Sequence, residues 1–137
     1  MPALIRRPVF ALLALASALL TPFAHANDQG EKTASPTPMA FVVNVGKTGY
    51  GGTVLQTQVV LEGANVEANQ AIEAYKPQLQ HDIIQIISAQ TPEHLRTNQG
   101  KTELAEQILA SVNKTLGATR KTGVKEVFFT QFILQQP

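Results

Sequence analysis

The last thirteen residues, KEVFFTQFILQQP (Lys125–Pro137), restrict this chain more than any other stretch. A run this rich in aromatic and β-branched residues reads as a strand, and strand side chains alternate between faces. Strict alternation puts Val124, Phe128, Phe132 and Leu134 on one side and Val127, Phe129 and Ile133 on the other. Neither side is polar. Helices of the same molecule cover one face of a sheet in a small domain, so the other face of this strand has to be covered by something else. A bulge around Thr130-Gln131 would change the sorting and bring Phe129 and Phe132 to the same side. Alternation alone leaves open which set faces the helices.

Two further strands precede it. MAFVVNV places Met39, Phe41, Val43 and Val45 on one face, with Ala40, Val42 and Asn44 opposite. The glycine-rich GKTGYGG that follows suits a hairpin tip, with Tyr50 as its exposed side chain. TVLQTQVVLEG then puts Leu55, Val59 and Leu61 on one face and Val54, Gln56, Gln58 and Val60 on the other, antiparallel to the first strand. From Val66 the period becomes helical, with Ala68, Ile72, Tyr75, Leu79, Ile83 and Ile86 as the apolar stripe. Gln78, His81, Gln85 and Ser88 form the polar side, and Pro77 predicts a kink or two abutting helices near Lys76. Thr91-Pro92-Glu93 opens a brief turn, and Thr97 or Asn98 caps a last helix with the stripe Leu104, Ile108, Val112 and Leu116, stopped by Gly117. The predicted order is ββααβ, an α+β fold with helices on one face of a three-stranded, mainly antiparallel sheet.

The N-terminus suggests an exported protein. Arg6 and Arg7 precede an apolar run from Val9 to Leu20, then Thr21-Pro22 and Ala24-His25-Ala26, the pattern of a cleavable signal peptide over residues 1–26. The run is shorter than the roughly 20 apolar residues of a membrane span. Residues 27–38, NDQGEKTASPTP, have no apolar period and read as a flexible linker. Residues 39–137 then form one domain. Cleavage after Ala26 would leave nine basic and ten acidic residues, a net charge of −1. So even a balance excludes a nucleic-acid-binding reading. Arg120, Lys121 and Lys125 cluster after a helix, where cations suit its negative end.

Chemistry is hard to find. The chain has no cysteine, which excludes disulfides, thiolate catalysis and thiolate zinc sites. Gly-Lys-Thr occurs at residues 46–48 and 100–102, but a phosphate-binding loop needs a glycine five residues earlier, where Phe41 and Leu95 stand. His81 and His94 read as surface residues with no His-x-x-x-His spacing, and no serine sits in Gly-x-Ser-x-Gly. Glu103 and Glu106 share a helix face near an N-terminus, where acids are stabilising. The expectation is a non-enzymatic protein with no catalytic residue, cofactor or metal.

The second half resembles the FliL family of flagellar basal-body-associated proteins. The likeness is carried by Leu95-Arg96-Thr97-Asn98-Gln99-Gly100-Lys101 with Leu104, by Val112-Asn113 and Leu116, and by Val124, Val127-Phe128-Phe129-Thr130 and Phe132-Ile133-Leu134-Gln135. The strand at Phe41–Val45 and the helix around Lys76-Pro77 also fit, so the likeness covers residues 39–135. It implies a periplasmic domain similar to the stomatin/prohibitin type, at the basal body on the inner membrane. Its implied partners are the stator MotA–MotB and further copies of itself, in flagellar rotation, motility and chemotaxis. Family members usually keep one membrane-spanning helix where this chain has its leader, and Gln131 and Gln99 stand where acids are common.

The face away from the helices is therefore expected to meet another copy or a motor component, through Val54, Val60, Val127, Phe129 and Ile133. The alternative is a free periplasmic binding module for a lipid or cell-wall fragment, which would need a closed apolar cavity between helices and sheet. A monomer whose first helix wraps both sheet faces is the third arrangement.

Overall fold

A computed structural model describes residues 36–46 and 52–136. The leader, most of the linker and the hairpin tip with Tyr50 lie outside the described residues. The elements are β1 (Met39–Val45), β2 (Thr53–Gly63), α1 (Val66–Ala74), α2 (Lys76–Ser88), α3 (Pro92–Leu95), α4 (Asn98–Leu116) and β3 (Val124–Gln135). The α+β class holds, and the sheet is antiparallel throughout with order β1-β2-β3. The helical region has four segments rather than the two of the ββααβ expectation.

Local chemistry places those breaks. The Asn65 side chain accepts from the Ala68 amide at 2.8 Å and starts α1. Pro77 lacks an amide donor and fits only the first turn of a helix, so α1 stops at Tyr75 and α2 begins anew. The restart shifts the phase of the apolar stripe. Leu79, Ile83 and Ile87 are fully buried, Ile86 is half-buried, and Tyr75 is left 48% exposed. One unbroken helical period had placed Tyr75 and Ile86 in the core and passed over Ile87.

The α3–α4 corner is held by Thr97. Its hydroxyl donates to the His94 carbonyl at 2.7 Å and accepts from the Gly100 amide at 2.9 Å, capping α4. Gly100 is required here because a Cβ would overlap the His94 carbonyl. At the far end Gly117 takes the left-handed conformation, φ 63°, that terminates α4.

Sheet and helices meet along one apolar layer. Met39, Phe41, Val43, Val45, Leu55, Val59 and Leu61 point to it from β1 and β2. Against them pack Ile72, Leu79, Ile83, Ile87, Leu95, Leu104, Ile108 and Val112. Each fully buried aliphatic side chain stabilises the fold by about 1.5–3 kcal/mol. An Ile83→Ala cavity would cost about 2–5 kcal/mol. α2 lies against β1 and α4 against β3, while α1 covers part of β2. Between α4 and β3 sits the buried Asn113. It donates to the Val124 carbonyl at 2.9 Å and accepts from the Val124 amide at 2.8 Å, fixing where β3 starts.

Candidate protein-interaction face

Two register shifts in the β2–β3 ladder decide what the opposite sheet face looks like. Gln58 pairs with Gln131 and Val59 with Phe129, so Thr130 is an extra residue. Glu62 pairs with Glu126 and Gly63 with Val124, which makes Lys125 extra as well. Each bulge exchanges the faces of the residues beyond it. Phe129 and Phe132, three apart, therefore share the helix side and pack edge to face, with centroids 5.3 Å apart. Lys101 of α4 lies over the Phe132 ring at 5.2 Å. The Thr57 hydroxyl donates to the Gln131 carbonyl at 2.7 Å and ties down the bulge.

This sorting corrects part of the predicted interface. Val127 is buried in the core at 6% exposure, and Phe129 packs against that core from the helix side. Neither lines the outer face, because strict alternation fails at Thr130. Val54, Val60 and Ile133 do lie on the outer face, in the register positions of Gln135, Phe128 and Gln56. Phe128, assigned by strict alternation to the opposite set, belongs with them.

The outer face is thus built in rows across the sheet: Asn44, Val54 and Gln135; Val42, Gln56 and Ile133; Ala40, Gln58 and Gln131; then Val60 and Phe128. Val42 is 71% exposed, Phe128 46% and Ile133 41%. The glutamines form a sparse lattice, with Gln56 donating to Gln135 and Thr130 to Gln58, both at 3.3 Å. No charged residue enters these rows. Charge is confined to one end, where Lys125 pairs with Glu62 at 2.9 Å beside Glu126. Such a face offers an apolar and amide surface to a macromolecule and has no ionic handle for a small charged ligand.

The polar clusters elsewhere are structural. Glu103 accepts from Gln99 at 2.8 Å and meets the His94 ring at 2.6 Å. These bonds, that from Gln99 first, hold its carboxyl below the ordinary glutamate value. His94 therefore bridges α3 to α4, although its sequence context read as a lone surface histidine. Arg120 bonds Glu106, and that bond raises its guanidinium above the ordinary value. Two members of the basic cluster after α4 thus have particular partners, Arg120 with Glu106 and Lys125 with Glu62. Among the described residues no group of three or more His, Asp or Glu gathers to hold a metal. His81 is exposed, beside a shallow groove of about 490 Å³ lined by Pro77, Gln78, Asp82 and Thr115. That groove lies on the outside of α2 and α4, where the Thr115 hydroxyl donates to Asp82. It is not a closed apolar cavity between helices and sheet.

A face of this kind identifies no partner by itself, but the whole domain can be compared with known proteins. Residues 36–135 match the family described as flagellar basal body-associated protein FliL. The chain belongs to the FliL family. It is also 34% identical over 77 residues to the flagellar protein FliL of Aquifex aeolicus (strain VF5), covering 56% of this chain and 46% of that relative. The match therefore spans about half the length of that protein. Family membership makes the chain a flagellar basal body-associated protein. The bulge that the sequence left open at Thr130-Gln131 is present and brings Phe129 and Phe132 to one side, whereas the role of Asn113 was not read. The signal for that role was an asparagine abutting the apolar stripe at Val112.

No helix among the described residues is long and apolar enough to cross a membrane.

Proposed function

We propose that this FliL-family protein is a non-enzymatic accessory of the flagellar basal body that works through protein contacts on its outer sheet face. The observation that carries the proposal is the uncharged surface of Val42, Val54, Val60, Phe128 and Ile133 on a domain whose helices cover only the other side of the sheet. Exposed apolar patches of several hundred Å² or more mark interaction sites on small domains. In this reading residues 1–26 are a signal peptide, residues 27–38 a linker and residues 39–137 a stomatin/prohibitin-type domain in the periplasm at the inner membrane. The contacts are with further copies and with the stator MotA–MotB, in support of rotation, motility and chemotaxis. The resemblance supplies those partners, and the outer face supplies a surface for them.

The test is a Phe128→Gln/Ile133→Gln double variant expressed in place of the wild-type chain. Swimming in soft agar should fall although the protein accumulates normally, and crosslinks from the outer face to basal-body proteins should disappear. A deletion strain that swims normally, together with a wild-type protein that makes no such crosslinks, refutes the proposal. The groove beside His81 is open and lies outside the helix–sheet core, so it does not supply the enclosed apolar cavity that the lipid or cell-wall binding alternative calls for.

A further inference from the structure

We draw no further inference here: the strongest candidate, the uncharged surface patch of Val42, Phe128 and Ile133 on the outer sheet face, belongs to the site already described, and nothing in the structure shows which partner covers it.

Discussion

Replacing Asn113 by alanine tests how the strand that carries Phe128 and Ile133 is positioned. The Asn113 side chain is 6% exposed, and its amide satisfies both polar backbone groups of Val124, itself fully buried. Truncation leaves a buried N–H and a buried C=O without partners, at about 1–3 kcal/mol each. A loss of about 2–6 kcal/mol is expected, a large part of the stability of a domain this size. With a urea slope of about 2 kcal/mol per molar, the unfolding midpoint should fall by about 1–3 M with the slope unchanged. Asn113→Asp should do no better at neutral pH, because it returns an acceptor for the amide but turns an oxygen toward the carbonyl. A midpoint for Asn113→Ala within about 0.3 M of wild type would show that water or a shifted backbone satisfies Val124, and the reasoning would fail.

Other substitutions probe the corner and the bulge. Gly100→Ala should lower the melting temperature by several degrees, since its methyl group overlaps the His94 carbonyl and the corner must open by a loss of about 2 kcal/mol. Gln99→Ala should raise the Glu103 pKa toward the ordinary value in a carboxyl ¹³C titration, because the Gln99 amide is the first cause of its depression. The sign for stability follows: this carboxylate's contribution is present above the unfolded glutamate pKa and is lost as pH falls through the lower folded value. Acid should therefore loosen the α3–α4 corner in the wild type more than in Gln99→Ala, measurable as amide exchange at Leu95–Lys101. Deleting Thr130, the unpaired extra residue, should leave Val127, Phe129, Phe132 and Leu134 on the helix side by plain alternation, so the domain should stay folded. Far-ultraviolet circular dichroism should show a folded chain, and a largely unfolded one would refute this account of the bulge.

Much of the fold was legible because its signals are local. Thr91, Thr97 and Gly117 are short-range caps, and each acts where the sequence places it. Pro77 marked the break between α1 and α2 for the same reason. What the sequence hid depends on partners far along the chain. The phase of α2 after Tyr75 is set by which residues the sheet accepts, so Ile87 displaced Ile86. The Asn113–Val124 bonds join residues that only the α4–β3 turn brings together. The pairing of His94 with Glu103 needs α3 folded back on α4.

The bulge at Thr130 shows why the candidate face could be read only in part. A strand of strict period two would divide the apolar residues of β3 into two comparable sets and leave both Val127 and Phe129 outside. The inserted residue sends Val127, Phe129, Phe132 and Leu134 to the helices and leaves Phe128 and Ile133 outside. The core thereby gains two aromatic rings in edge-to-face contact, while the outer face keeps only enough apolar area to be selective among glutamines. The same bulge interrupts the register of β3 with β2, whereas the register of β1 with β2 runs unbroken. One extra residue thus determines which side chains of β3 join the core and which are left on the outer face of the sheet.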